Sequence, residues 1–571
     1  DALGANPKGA PASTATAADR INWLYGVDHA QLRSRLVDGI TRRIGSIVGS
    51  APQFMAERDF GYSMLPAPQG TSYGAFRTSS TYKKRPETLF VGSNSGMFHA
   101  FNATDGDELF AYVPSELLLP GSAGTHAQVN ELMRPDYSHR FYLDGSSMIS
   151  DAYLDGAWRT VAVGTMGAGG RTVFALDVTD PAEFGPGKVL WEFKHSNAVC
   201  VADPTGTLGS RACRDVGFGV TKPKIVRLAS GRWATVFGNG YNSFDHRARL
   251  MVVDLETGHL LYNLLTPDNT AQGGSASASN PNGLSPVETT DWPLNNLNFA
   301  NAYAGDLLGN LWRFNFQVAT PTVTRVFTAK DGSLGHRQPI TAMPIFSLKP
   351  NSATEIVLLF GTGSFFKVGD DNIASPQVQT FYGIFDSATS PITVPLRSDL
   401  LAQVLTSNNT SLNIGSNTYD AGGVRFLTQN SLTTGQRGWR VDLPSPGERV
   451  ISKAFFPTGA DQKRVRFSTL IPNDNPCGSG RQVFLMDIGI LSGGRSSTPA
   501  FDFNGDGVSN AGDATGGIQP SGIGGGTGEM LINIRDANGG TDNIYGGDGR
   551  LITKGSNTSG PIGRQSWRQL R

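Results

Sequence analysis

The stretch Val236–Leu261, VFGNGYNSFDHRARLMVVDLETGHLL, decides the fold. A β-branched and aromatic run closes on glycine, a polar turn follows, and a second apolar run stops at Asp254 before Glu-Thr-Gly. Alternating β-branched and aromatic residues favour strands, and glycine admits positive φ at a turn. The closing Asp and Thr fold the chain back through side-chain to backbone hydrogen bonds.

The phrase recurs along the chain. It is found at Leu89–Pro114, Ala162–Pro181, Ala302–Phe316 and Leu358–Asp386, with a partial copy at Arg481–Ile488. The second runs end at Asn102, Asp177, Asp254, Asn315, Asp386 and Asp487. Copies about 60 to 100 residues apart suit a repeat that carries inserted loops. A lone hairpin of this kind leaves both faces and edges bare, whereas radial stacking buries the faces against neighbours. Six copies and an early strand near Gly45–Met55 therefore predict an all-β chain, a modified β-propeller of about seven blades with inserted loops and a few short helices. A sandwich would lack the phrase, and a (β/α)8 barrel would need alternating helices.

Residues 1–20 are small and polar and read as a flexible arm or linker, leaving 21–571 for the propeller. Ile21–Ile44 mixes apolar and basic residues at helix-like spacing, Val113–Tyr137 suits an insertion with helical turns, and Asp268–Asp291 suits a surface loop. The 571-residue chain balances 48 basic against 48 acidic residues, so no nucleic-acid partner is implied. Gly at 71 residues and Phe at 31 fit a turn-rich β protein. No apolar run is long enough to span a membrane. The opening Asp1 reads as a mature or trimmed fragment, so the missing leader says nothing against export.

Cys200 and Cys213 bound a polar Gly/Pro loop; a disulfide closing it is the favoured reading, with two unrelated thiols as the alternative. Cys477 is left over, free or paired outside this sequence.

One motif points to chemistry. Asp502–Asp513, DFNGDGVSNAGD, places side-chain oxygens at positions 1, 3 and 5 (Asp502, Asn504, Asp506) and a glycine at 6. The Val508 carbonyl stands at 7, Asn510 at 9 and Asp513 at 12. Calcium takes six to eight oxygens at about 2.3–2.6 Å, and this register supplies them. A metal-free turn would need only two or three such residues. Position 12 is Asp where a longer Glu is usual, so either Asn510 or Asp513 could complete the set. The flanks are poor helix formers, and 21 of the 83 residues from Gly489 onward are glycine, so a helix-pair calcium sensor is excluded and a clamp on a Gly-rich segment is expected. Asn102–Glu108, Val368–Asn372 and Thr541–Arg550 also cluster acids but suit turns, and Asp144 and Asp306 suit turn ties. His99 and His139 suit packing or hydrogen bonding. No Gly-x-Ser-x-Gly or His-Glu-x-x-His pattern is present, and the chain is expected not to be an enzyme.

Arg134–Pro181, Phe218–Ser243, YAGDLLGNLWRFNF, HRQPITAMPIF, LLFGTGSFFKVGD and the terminal GRQSWRQL, in that order, resemble the PilY/PilC family of type IV pilus tip-associated adhesins. The resemblance implies a seven-bladed C-terminal propeller of a larger exported protein at the pilus tip or cell surface, with a periplasmic or outer-membrane-associated pool. It implies minor pilins of the pilus tip complex as partners, a possible host or surface ligand, and a Ca2+ ion whose occupancy balances pilus extension against retraction, affecting twitching motility and adhesion. In that family the comparable calcium loop often closes with Asp at position 9, where this chain has Asn510. The alternatives are a PQQ-type quinoprotein dehydrogenase, which shares the strand phrase but usually a vicinal Cys pair absent here, and a periplasmic scaffold propeller.

Overall fold

The computed structural model describes residues 2–120, 125–206, 209–268, 275–332, 335–350, 352–373, 377–387, 393–457, 463–472 and 482–527, and the backbone of strands Ile532–Arg535, Asp542–Tyr545 and Leu551–Lys554. Cys477, most of Thr541–Arg550 and the GRQSWRQL terminus lie outside them. The chain divides into two compact units, Asp1–Asn301 and Ala302–Arg571.

In the first unit, the sequence phrases form sheets of antiparallel strands met in chain order. Gln53–Met55, Thr88–Ser93, Met97–Asn102 and Glu108–Tyr112 make one sheet, so the early strand expected near Gly45–Met55 is present. Met148–Leu154, Ala157–Thr165, Val173–Asp177 and Val189–His195 make a second. Ala212–Cys213 adds a parallel edge to it, pairing Lys194 with Ala212 and His195 with Cys213. Lys224–Arg227, Trp233–Gly238, Arg249–Asp254 and Leu260–Leu265 make a third.

The inner strands are buried on both faces. Every residue of Trp233–Gly238 and Val173–Asp177 is buried, whereas the outer strand Glu108–Tyr112 is half exposed. A strand whose alternate faces are both covered must lie in a sheet packed on two sides, as in a stacked blade. Trp158 and Trp233, with rings 5.8 Å apart, join side chains of the second and third sheets in one apolar cluster.

The second unit continues the pattern. One sheet contains Asn301–Gly305, Asn310–Asn315 and Thr322–Thr328; another orders Ile345–Leu348, Glu355–Gly361, Thr380–Ser387, Gly438–Asp442 and Leu401–Gln403. A further five-stranded sheet orders Leu405–Ser407, Val424–Leu427, Gly522–Thr527, Gln482–Gly489 and Arg464–Ile471. Ile532–Arg535, Asp542–Tyr545 and Leu551–Lys554 form a three-stranded sheet. Seven sheets of three or more strands are thus present among the described residues.

The strand-end acids divide into two groups. Asn102, Asp177, Asp254 and Asn315 each accept a backbone N–H two residues on, at 2.8–3.0 Å, which is the expected turn. Among the described residues Asp386 and Asp487 instead lack that bond and meet arginines, half-buried Arg313 at 3.1 Å and buried Arg466 at 2.6 Å. Asp306 ties its own turn as expected, accepting from Asn310 N at 2.8 Å, whereas Asp144 accepts from the distant Gly49 N at 2.7 Å and so links two separate segments.

Two local readings change. Ile21–Ile44 is helical only at its start, within Ala17–Leu24, which Thr16 and Asp19 cap reciprocally. Leu36–Val37 and Ile40–Thr41 pair as a hairpin instead, because Asp38 and Gly39 take φ of 53° and 78°, which ends a helix. The early polar arm is docked: Asn130 Nδ2 donates to the carbonyls of Ala2, Leu3 and Ala5 at 2.9–3.2 Å. The Val113–Tyr137 insertion carries the expected turns, a helix at Ser115–Leu118 and a 3-10 turn at Gln128–Met133. Cys200 and Cys213 form a disulfide with Cα atoms 4.7 Å apart.

Candidate functional site

The 502–513 segment is not a tail. It is part of the connection between Gln482–Gly489 and Gly522–Thr527, adjacent antiparallel strands of one sheet that pair Leu485 with Ile523. Sequence composition placed it in a Gly-rich terminal segment; pairing places it within a blade-like sheet.

Its entry is fixed by alternation. Phe501 and Phe503 are buried in a cluster with Ile414, Leu470, Val483, Leu485 and Ile523. Asp502, between them, projects its carboxylate to the loop, where Oδ1 accepts from Gly505 N and Oδ2 from Gly507 N, both at 2.8 Å. The hairpin Leu412–Ile414 and Asn417–Tyr419 clasps the loop from outside. Asn417 Nδ2 and Tyr419 OH donate to the Phe503 carbonyl at 3.0 and 2.7 Å, and Ser416 Oγ donates to the Asn504 carbonyl at 3.2 Å. Gly415, at φ 59°, allows this approach, since a Cβ there would meet Asn504 Cβ at 2.6 Å. Burial, with the Asp502 and Asp513 charges adding, pushes the Tyr419 hydroxyl up to about 12, so it remains a donor.

Asp513 is the hub. Its side chain is fully buried; Oδ1 accepts from Phe503 N at 2.6 Å and Asn504 N at 2.9 Å, and Oδ2 accepts from Asn510 N at 2.7 Å. Burial raises its pKa, opposed by those three N–H groups, with Asp502 raising it further. Asn510 caps the 3-10 turn Ala511–Asp513 by accepting from Gly512 N at 2.7 Å.

The remaining candidate ligands gather at the exposed tip. Asn504 Nδ2 and Asn510 Nδ2 reach Asp506 Oδ2 at 3.0 and 3.2 Å, and Asn510 Nδ2 reaches the Val508 carbonyl at 3.3 Å. The Val508 N–H, then the Asn504 amide, hold the exposed Asp506 carboxyl below the ordinary Asp range, so it is ionised at neutral pH.

The structure therefore brings Asp502, Asn504, Asp506, Val508, Asn510 and Asp513 into one loop, with the Asp513 carboxylate accepting three backbone N–H groups. Among the described residues no three His, Cys, Asp or Glu side chains stand close enough together to hold a metal. The donor chemistry nevertheless suits a hard cation. Two carboxylates, two amide oxygens that each keep a lone pair beyond their backbone bond, and a main-chain carbonyl are the oxygen types calcium takes. The amide nitrogens now facing Asp506 satisfy its charge, a place that a cation would take.

Sequence reasoning missed Gly415, Ser416, Asn417 and Tyr419. Their one signal was the short Leu412–Tyr419 run with glycine at its centre, too brief to identify as a hairpin.

A family profile described as the PilY1 beta-propeller domain matches residues 44–418, ending before the loop. A type IV pilus biogenesis factor PilY1 homolog of Xylella fastidiosa is 34% identical over 86% of this chain and 32% of its own length. The type IV pilus biogenesis factor PilY1 of Pseudomonas aeruginosa strain PAK is 31% identical over 97% of this chain and 47% of its own. The chain thus spans about a third to a half of the length of these curated relatives. The crystal structure of the Pseudomonas aeruginosa PilY1 C-terminal domain superposes with a TM-score of 0.66 at 29% identity, covering 86% of this chain and 96% of that one.

Proposed function

We propose, from the premise that this chain belongs to the PilY1 beta-propeller family, that it is the calcium-binding propeller portion of an exported type IV pilus biogenesis factor. Its relatives are named as biogenesis factors and not as enzymes, which supports a binding and assembly role. The observation that carries the calcium reading is the loop's donor set with its own scaffold. Asp502, Asn504, Asp506, the Val508 carbonyl and Asn510 would hold the ion, while Asp513 holds the backbone. Calcium would supply charge neutralisation and cross-linking. With the entry pinned by Phe501 and Phe503, ordering costs fall on the tip alone, and occupancy stiffens the surface around Val508.

On this reading the stiffened loop is read by pilus components, the minor pilins of the tip complex among them, at the cell surface or in the periplasm. Occupancy then biases pilus extension against retraction and with it twitching motility and adhesion. Bacteria carrying the full-length protein with Asp506→Ala test this. Surface pili and twitching zones that change relative to the parent, with equal amounts of exported protein, support it. Unchanged piliation and motility across calcium concentrations refute it.

A further inference from the structure

A second site stands in the first unit, away from the calcium loop. A solvent-open cleft of about 580 Å³ lies between the outer strand Glu108–Tyr112 of the first sheet and the Val189–His195 and Ala212–Cys213 strands of the second. That volume suits a small ligand or the end of a peptide. Tyr112, Val113, Val189 and Ala212 give it apolar walls; Ser115, Glu192, Lys194 and Arg211 are its polar lining.

The polar groups are not equivalent. Glu192 is satisfied within the protein: Oε1 accepts from Tyr112 OH at 2.5 Å and Ser115 N at 2.7 Å, and Oε2 accepts from Ser115 Oγ and from Lys194 Nζ, the latter at 2.8 Å. Lys194 also donates to Ser115 Oγ at 2.5 Å. An ammonium has three donors, so one remains. The exposed Arg211 guanidinium has no partner among the described residues, although its carbonyl accepts from Lys194 N at 3.0 Å. Lys194 and Arg211 against Glu192 leave the cleft one positive charge in excess, with a planar fork at its rim.

That fork does not rest on a long strand. Arg211 precedes a two-residue edge strand whose Cys213 is fully buried and joined to Cys200. The disulfide closes the loop with a separation of 13 residues and so holds the edge that carries Arg211.

We propose that this cleft binds an apolar monocarboxylate, the free C-terminal carboxylate of a peptide ending in an aliphatic residue or a fatty acid. The carboxylate meets Arg211 in the two-bond geometry a guanidinium favours, and the aliphatic group lies on Val113, Val189 and Ala212. The Cys200–Cys213 bond sets the rim.

Calorimetric titration of the 571-residue chain with three probes tests it: a hexapeptide ending in leucine with a free C-terminus, the same peptide amidated, and decanoate. The acid peptide is expected to bind roughly tenfold or more tightly than its amide, the size of a lost charged hydrogen bond. Arg211→Ala should weaken the acid form about as much, and Arg211→Lys less, since Lys keeps charge without the fork. Decanoate that binds with the same Arg211 dependence while the peptide does not would identify a lipid acid as the source. Cys200→Ser with Cys213→Ser should weaken binding in a protein whose circular dichroism is unchanged. Equal binding of acid and amide, no Arg211 dependence, or no binding of any probe at millimolar concentration overturns the proposal.

Discussion

Asp513→Ala separates two roles that a loop sequence confounds. If Asp513 were chiefly a metal ligand, its loss would leave the calcium-free loop as it was. The structure instead gives it three backbone N–H groups. Orphaning a buried donor costs about 1–3 kcal/mol. Phe503 N is buried and bears that in full, whereas Asn504 and Asn510 sit in an exposed turn whose amides can face water. Removing a carboxylate that burial already disfavours returns part of the cost. The net is about 1–3 kcal/mol of easier local opening, or roughly 5- to 150-fold faster amide exchange at 503–510. Hydrogen exchange with mass spectrometry in excess chelator is the assay. Unchanged protection of this peptide without calcium, with calcium binding lost, would refute the hub and restore Asp513 as a ligand.

Other perturbations follow from the same geometry. Asn510→Asp places a second carboxylate beside Asp506, and calorimetry should show calcium affinity rising about tenfold as the added charge meets the cation. Arg425 and Glu448 are a fully buried two-bond pair at 2.7 and 3.1 Å, so Arg425→Met strands Glu448 and should cost about 3–5 kcal/mol, read as a lowered urea midpoint. Burial pulls the Glu192 pKa up, but the Lys194, Ser115 and Tyr112 donors outweigh it and the net shift is downward. A depressed carboxylate stabilises above its unfolded pKa and loses that contribution as pH falls through the folded value. Glu192→Gln should therefore lower the melting temperature at pH 7, with the gap to wild type closing below about pH 4. Replacing both Cys200 and Cys213 by Ser should cost about 3 kcal/mol for a loop of this length, measured by denaturation of the oxidised protein against the variant.

Much of the fold was legible because a blade hairpin is a local object. Val236–Leu261 states both strands, the turn and the closing Asp within a short window, and the structure pairs Val236 with Val252 as that phrase requires. The Ile21–Ile44 segment was not legible, since its apolar spacing fits a helix until Asp38-Gly39 turns it back. The loop's candidate calcium ligands follow from alternate-residue register, a property of sequence. Its setting does not. Gly522–Thr527 returns to pair with Gln482–Gly489, and the clasp at Gly415–Tyr419 comes from some 85 residues upstream, a separation no local pattern encodes. The Asp513 contacts likewise depend on three backbone N–H vectors that converge only when the loop is folded.

The measurement that tests the central claim most directly is calcium titration by calorimetry of the wild-type chain and Asp506→Ala. Asp506 is exposed, ionised and faced by both Asn amides, and it supports no buried backbone group. Its truncation should leave the fold intact and abolish binding of one calcium ion per chain. Undiminished calcium binding by Asp506→Ala would contradict the account.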